Sequence, residues 1–318
     1  MENLIHKSIL RFLACLLLTF FIFSSLIKVR SAEANCDTNQ YLVIVTPFLS
    51  VDPQLIQYIK SFRCQTIVFN DFSETDDIKI NGNRLYQFLL RLNSLLVLNK
   101  QIESEKSVEF IAHGIGGLYL LSALGEKQDD LPQLNMKIKK INLLNTPLKG
   151  IEFADLLALN PTISNQLKKY LVQSFPHFNI NPYWNLTTEQ LEVFINRLNR
   201  IIETPVHLFL IKPNIHDENH KNRSYVSSIN MPNPLAAVTF LSDTENDGVI
   251  NLNSINISIT NDLRLQSMIP HLFIEKNLNI PLNHIYFFAN IDDLKELSEN
   301  DKNKVSFWQK RLFLNILN

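Results

Sequence analysis

Residues 108–124 read VEFIAHGIGGLYLLSAL and predict a strand, a sharp turn and a helix in that order. The segment Val108–Ile111 is typical of a buried strand, and Leu118–Leu124 is typical of a helix. Between them lie three of the chain's 7 glycines, within four positions. In a chain so poor in glycine, this clustering indicates that the backbone requires a positive φ angle or a close approach of the helix to the strand.

The same stretch carries the small residues of a nucleophile elbow, whose pattern is small-x-Ser-x-Gly on a turn between a strand and a helix. Ala112, Gly116 and Gly117 fill the small positions. Gly114 stands at the nucleophile position, and glycine has no side chain with which to attack a carbonyl. The stretch therefore predicts the scaffold of a serine hydrolase without its serine.

The other segments alternate strands with helices, which predicts a parallel sheet covered by helices on both faces. Further strands are predicted at Tyr41–Val45, Gln65–Phe69, Ile138–Leu144, Val206–Ile211 and Ala236–Leu241. Helices are predicted over residues 79–100 and 302–317. The predicted fold class is therefore α/β.

Residues 151–205 interrupt this alternation with a helical pattern that ends in an aromatic-rich segment. An insertion of about 55 residues is long for a crossover connection, so the pattern predicts a helical lid or cap. The simpler alternative is an ordinary helical crossover.

The N-terminal segment has the layout of a secretory signal peptide. Lys7 and Arg11 precede an apolar run over residues 12–27, and Ala32-Glu33-Ala34 offers a cleavage site. The sequence therefore predicts removal of residues 1–34 and export, to the periplasm or the medium, of one domain spanning residues 35–318. The alternative is an uncleaved membrane anchor formed by residues 12–27, because two basic residues follow the run.

Charge argues against one class of partner. The chain has 30 basic and 31 acidic residues and a formal net charge of −1. Its linear sequence holds no basic face or lysine run, so nucleic acid is not an expected partner.

Two of the three cysteines, Cys36 and Cys64, lie beyond the predicted cleavage site. An even number of cysteines in an exported chain favours a disulfide. The alternative is a pair of unrelated thiols.

Two later segments supply the other residues of a catalytic triad. Asp247 lies in the turn sequence Asn-Asp-Gly, and His284 lies near the end of the chain. The order nucleophile, acid, histidine is that of the α/β hydrolases. The acid would orient His284, which would act as general base. Taken singly, an Asp-Gly pair more often marks a turn and a lone histidine is more often structural.

With these motifs the sequence resembles the secreted bacterial triacylglycerol lipases of the calcium-dependent, often foldase-assisted type. The resemblance runs from about Tyr41 to His284 and is strongest at residues 112–117 and 144–150, the latter reading LNTPLKG. It implies an α/β-hydrolase fold. It also implies that Asp247 is the catalytic acid, that His284 is the catalytic histidine, and that the backbone N–H groups of Phe48 and Ile115 form the oxyanion hole.

The chain departs from this family at three places. Gly114 replaces the nucleophile, and Thr46-Pro47-Phe48-Leu49 replaces His-Gly-x-Leu in the oxyanion loop. Pro47 fixes φ near −65° where the family has a flexible glycine. Tyr286 occupies the position at which the family has a calcium-binding aspartate, and tyrosine is a poor calcium ligand compared with a carboxylate. We therefore expect no metal site and no cofactor.

These observations predict an exported, lipase-like protein that is catalytically degenerate. Its expected ligand is a lipid or acyl chain, or a protein partner, with membrane contact through the lid or an uncleaved N-terminal segment. The alternative is an active carboxylic-ester hydrolase that uses His284 and Asp247 with a water, or with a non-standard nucleophile such as Ser50.

Overall fold

The computed structural model divides the chain into two compact units, Met1–Asp37 and Thr38–Asn318. All described residues belong to the second unit. They are residues 40–47, 51–63, 65–73, 76–98, 106–125, 136–159, 162, 165–166, 169, 186–198, 204–209, 211–212, 272–274, 278–280, 287–293 and 298–317.

The described strands form a six-stranded parallel sheet with the order β2-β1-β3-β4-β5-β7. A second, two-stranded parallel sheet pairs β6 with β8. The strands are β1 (Gln40–Val45), β2 (Gln65–Phe69), β3 (Lys106–His113), β4 (Met136–Leu144), β5 (Val206–Phe209), β6 (Ile211–Lys212), β7 (Leu272–Ile274) and β8 (Leu278–Asn279).

Six helices are described, together with a 3₁₀ turn at Ile291–Asp293. They are α1 (Pro53–Lys60), α2 (Ile78–Leu98), α3 (Ile115–Gly125), α4 (Glu152–Leu159), α5 (Thr188–Arg197) and α6 (Glu299–Leu317).

Side chains of β1, which lies between β2 and β3, alternate between two cores, as the period of a strand requires. Val43 packs in a cluster with residues of α2, α3 and α5. Ile44 packs in a second cluster with residues of α1 and α6. The sheet is therefore covered by helices on both faces, which confirms the predicted α/β class.

Local sequence sets the ends of the outer helices. Asp52 caps α1 by accepting a hydrogen bond from the N–H of Gln54 at 2.8 Å, and Pro53 is the first helical residue. Ser298 caps α6, since its Oγ accepts from the N–H of Asp301 at 3.2 Å and donates to the Asp301 carboxylate at 2.7 Å. Two side-chain hydrogen bonds, the stronger influence from Ser298 and the weaker from Lys304, lower the pKa of the Asp301 carboxyl group.

The structure differs from the predicted elements at their ends, in its short strands and in helix α1 (Pro53–Lys60), which is not predicted from the sequence. The predicted strand Val206–Ile211 is wrong as one element, because it divides into β5 and β6, which belong to different sheets. Helix α3 begins at Ile115, three residues before its predicted start. Strand β7 is not predicted from the sequence, and the predicted strand Ala236–Leu241 lies outside the described residues.

The part of residues 151–205 that the structure describes is mostly helical, and α4 and α5 each bury one side in the main core. Leu191 of α5 is fully buried in the cluster that includes α3. The Asp155 carboxylate of α4 accepts hydrogen bonds from the N–H and the hydroxyl of Thr188 at 2.8 and 2.5 Å. A lid over the sheet stays a prediction for the rest of this segment. Among the described residues, no helix is both long and apolar enough to cross a membrane.

Candidate active site

The strand order defines where a ligand site is expected. From β1 the chain moves outward to β2 and then returns to β3 on the other side of β1. In open α/β sheets, ligands bind at such a topological switch point, beyond the carboxyl ends of the two strands. Here those ends are Val45 and His113.

Gly114 lies at this switch point and forms the turn between β3 and α3. Its φ angle is 55°, in the left-handed region. The Gly114 N–H donates to the carbonyl of Leu144 at 2.8 Å, and its carbonyl accepts from the N–H of Gly117 at 3.1 Å. A single left-handed residue between a strand and a helix is the sharp turn expected of a nucleophile elbow.

The next glycines bring α3 into direct contact with the sheet. A Cβ atom on Gly116 would lie 2.9 Å from both Pro47 Cδ and the Val45 carbonyl oxygen. A Cβ atom on Gly117 would overlap the side chain of Thr146, with Cγ2 at 2.7 Å. Both positions therefore require glycine for a close approach of helix and sheet, as the clustering predicted.

The segment after β1 is tied to the segment after β8 beside the elbow. Val51 forms an isolated antiparallel bridge with Ala289, and the Asp52 N–H donates to the carbonyl of Phe288 at 3.0 Å. The ring of buried His113 lies 5.1 Å from the Phe287 ring and 5.4 Å from the Phe288 ring, between centroids.

The structure places two of the predicted site residues. Gly114 occupies the elbow, and Ile115 is the first residue of α3, so its N–H has no acceptor within its own helix. The remaining predicted positions lie outside the described residues: Phe48, Asp247, His284, Tyr286 and the cysteines Cys36 and Cys64.

One residue beside the site is not singled out by the sequence patterns. Asn145 follows β4 with a φ angle of 45°, and Asn is among the few non-glycine residues that adopt such angles. Its amide group accepts from the N–H of Ile211 at 2.7 Å and donates to the Ile211 carbonyl at 3.1 Å. Its own N–H donates to Phe209 at 3.1 Å. Asn145 thus holds the chain at the point where β5 gives way to β6.

Two buried hydroxyl groups flank the elbow without a hydrogen-bond partner in the described part of the chain. They are Oγ1 of Thr46, which follows β1, and Oγ1 of Thr146, which lies against Gly117. Both threonines have no exposed surface. An unsatisfied buried hydroxyl costs about 1–3 kcal/mol, so this cost is concentrated around the switch point.

The described residues include no candidate metal site. Across the described ranges, no group of three or more His, Cys, Asp or Glu side chains could hold a metal ion. The expectation that the chain lacks a calcium site depends on Tyr286, outside these ranges, and stays a prediction.

Comparison with known proteins identifies the architecture. No family model matches the sequence, and no curated protein matches it. Three solved structures are similar over most of their length. The mature lipase BlEst2 of Bacillus licheniformis has a TM-score of 0.52 and 14% identity over 79% of this chain and 87% of its own. A metagenomic carboxyl esterase has a TM-score of 0.54 and 12% identity over 87% of this chain and 76% of its own. The Staphylococcus hyicus lipase has a TM-score of 0.51 and 13% identity over 90% of this chain and 99% of its own.

The chain has the α/β-hydrolase fold. At these identities the likeness establishes the fold alone, and it agrees with the strand order and with the elbow at the end of β3.

Proposed function

We infer that this protein is an exported, lipase-like homologue that has lost its catalytic nucleophile and binds a lipid or acyl ligand, or a protein partner. The observation that carries this proposal is Gly114 itself. The elbow keeps its left-handed φ angle and both of its hydrogen bonds, yet the position offers no oxygen to attack an ester.

The cost of losing the nucleophile decides against efficient catalysis. Removing the serine of a triad lowers the turnover rate on the order of a million-fold. What then persists is the contribution of substrate binding and of oxyanion donors. A protein under selection for ester hydrolysis would not keep such a substitution, whereas a binding protein would be unaffected by it.

The described neighbours of His284 support its presence near the elbow. Phe287 packs on His113, next to Gly114. His284 precedes Phe287 by three residues in the sequence.

The two unpartnered threonine hydroxyls support ligand or water binding at the same edge. Buried polar groups in native proteins nearly always have partners. A polar ligand head group, or an ordered water, that reached Thr46 or Thr146 would supply the hydrogen-bond partner that the threonine hydroxyl lacks.

Retention of Ile115 favours a second candidate, a slow carboxylic-ester hydrolase. Its backbone N–H is the oxyanion donor that survives any change of side chain. A water in the space of the missing side chain, activated by His284 and Asp247, would be the nucleophile. Such a water lacks the advantage of a covalently positioned group, so turnover would be slow.

Ester hydrolysis and covalent labelling separate the two candidates. The purified protein is incubated with short- and long-chain p-nitrophenyl esters and, separately, with a fluorophosphonate probe. We expect no hydrolysis above buffer and no labelled serine. Turnover above buffer that is lost in His284→Ala would instead establish the hydrolase. Labelling at Ser50 would identify a non-standard nucleophile.

Ligand binding is tested by displacement of a fluorescent fatty acid. We expect saturable binding that falls in Trp184→Ala, within the predicted lid, and persists in His284→Ala. Absence of binding for fatty acids and for monoacylglycerols would contradict the lipid ligand and leave the protein partner, which co-purification from the native host would identify.

A further inference from the structure

A continuous surface of aromatic and basic side chains lies on two neighbouring helices, far along the chain from each other. We refer to it as the basic aromatic surface. It consists of Tyr58 and Phe62, at and after the end of α1, and of Phe307, Trp308, Lys310 and Arg311 on α6.

Direct contacts join these side chains. The Tyr58 and Phe62 rings meet edge to face at 5.1 Å, and Lys310 Nζ lies 5.8 Å from the centroid of the Tyr58 ring. On α6, Trp308 lies 5.2 Å from Phe307 and 5.2 Å from the guanidinium of Arg311. Positions 307, 310 and 311 are three and four apart, so they are neighbours on one helix face.

The surface exposes large apolar groups within the described part of the domain. Phe307 is 56% exposed and Phe62 is 43% exposed. The opposite face of α6 is buried in the core through Val305, Leu312 and Phe313. Phe307 therefore makes no contribution to that core and points to solvent.

The surface is also positively charged, although the chain as a whole is nearly neutral. Residues 53–70 and 302–318 contain no aspartate or glutamate. The first lysines of α6 are neutralised within the helix, since Lys302 pairs with Glu299 and Lys304 pairs with Asp301, each at 3.0 Å. In the described part of the chain, Lys310 and Arg311 have no carboxylate partner.

One end of the basic aromatic surface, at Phe62, lies at the edge of the sheet opposite the elbow. Helix α1 follows the carboxyl end of β1 and returns the chain to the amino end of β2, so Phe62 lies at the amino edge. Arg63 donates from Nη2 to the carbonyl of Leu317 at 3.4 Å, which places the end of α6 at the same edge. Strand β1 also begins there, at Gln40.

We propose that the basic aromatic surface binds the head-group region of anionic phospholipid membranes. Phenyl and indole rings beside Lys and Arg are the side chains that favour the membrane interface, where the rings enter the apolar boundary and the cations meet lipid phosphates. The exposed phenyl rings distinguish this surface from a nucleic-acid site, which would need many more cations to neutralise phosphates.

Co-sedimentation of the full chain with vesicles tests the proposal. Equimolar phosphatidylglycerol and phosphatidylcholine vesicles are compared with pure phosphatidylcholine vesicles, because an apolar N-terminal segment would partition into both. We expect preferential binding to the anionic vesicles that weakens as salt increases. Combined Lys310→Gln and Arg311→Gln should weaken it about thirty-fold, from the contribution of two cations near a charged surface. Phe307→Gln should weaken it about ten-fold, near the lower end of what burial of one phenyl ring contributes.

Matched controls come from the same chain. Lys304→Gln removes a cation that is already paired on α6, and Leu95→Gln removes a 61% exposed leucine on α2. Both should bind as the unaltered chain does. Trp184→Phe leaves Trp308 as the only indole of the 2 in the chain, and its fluorescence should shift to the blue on anionic vesicles only.

Equal binding to both vesicle types, or binding that the Lys310, Arg311 and Phe307 variants leave unchanged, would overturn the proposal. So would retention of a DNA duplex or of an acidic protein in place of vesicles. None of these outcomes bears on the loss of the nucleophile, because Phe307, Lys310 and Arg311 lie on α6 and are not part of the elbow.

Discussion

Pro47 and Gly116 are in such close contact that a Cβ atom on Gly116 would lie 2.9 Å from Pro47 Cδ. The proline that departs from the lipase pattern in the oxyanion loop therefore packs directly on the first turn of the elbow helix. One of the three departures, at position 47, thus contacts the helix that directly follows another, at position 114. This contact makes it reasonable to test them together.

Restoring the serine should restore only part of the activity. We expect Gly114→Ser to react with a fluorophosphonate probe but to hydrolyse p-nitrophenyl butyrate slowly, because Pro47 restricts the loop that carries Phe48. Adding Pro47→Gly should raise kcat by about 100-fold, since one oxyanion donor contributes about that factor. Pro47→Gly alone, the control, should be inactive. Equal rates for the single and double variants would mean that Pro47 does not impair the loop.

The close approach at Gly117 should be visible in stability. Gly117→Ala forces a methyl group into the side chain of Thr146, and such overpacking typically costs about 1–3 kcal/mol. Urea denaturation should show this loss. In a double-mutant cycle with Thr146→Ala, which removes Oγ1 and Cγ2 and leaves Cβ at 2.9 Å, part of the loss should be recovered. If the two changes were simply additive, the contact between positions 117 and 146 would not be the cause.

The elbow region is predictable because its signals are local. A strand, a turn and a helix follow within residues 108–124, and the clustered glycines indicate a close approach that Gly116 and Gly117 make. The predicted start of α3, Leu118, lies after Gly116 and Gly117 because glycine has a low helix propensity. The observed helix begins earlier, at Ile115. Close packing of α3 on Val45 and Thr146 outweighs that propensity and brings both glycines into the helix.

Features set by distant residues could not be predicted. The division of 206–211 into β5 and β6 accompanies the pairing of Ile211 with Asn145, 66 residues earlier, which periodicity does not reveal. Strand β7 has only three residues, too few for a pattern to distinguish it from a buried loop. The basic aromatic surface combines two segments at opposite ends of the chain, so neither segment alone reads as a basic face.

Replacing either unpartnered threonine by valine should make the protein more stable. Thr46→Val and Thr146→Val replace a buried hydroxyl by a methyl group of similar size, and each should raise the free energy of unfolding by about 1 kcal/mol. Thr66→Val is the matched control, because the Thr66 hydroxyl donates to the Arg63 carbonyl at 2.6 Å, and it should lower that free energy by about as much. Destabilisation by Thr146→Val would indicate that its hydroxyl binds an ordered water or ligand.

Substitutions at Asn145 should follow an order set by its two roles. Asn145→Ala leaves the N–H and carbonyl of Ile211 without partners and also places a Cβ-bearing residue without a polar side chain at a positive φ angle. Asn145→Gly loses the same hydrogen bonds but adopts the angle freely. We therefore expect both to lower the free energy of unfolding by about 2–4 kcal/mol, with alanine worse than glycine by about 1 kcal/mol. Chemical denaturation measures both values, and glycine worse than alanine would show that the backbone angle carries no strain.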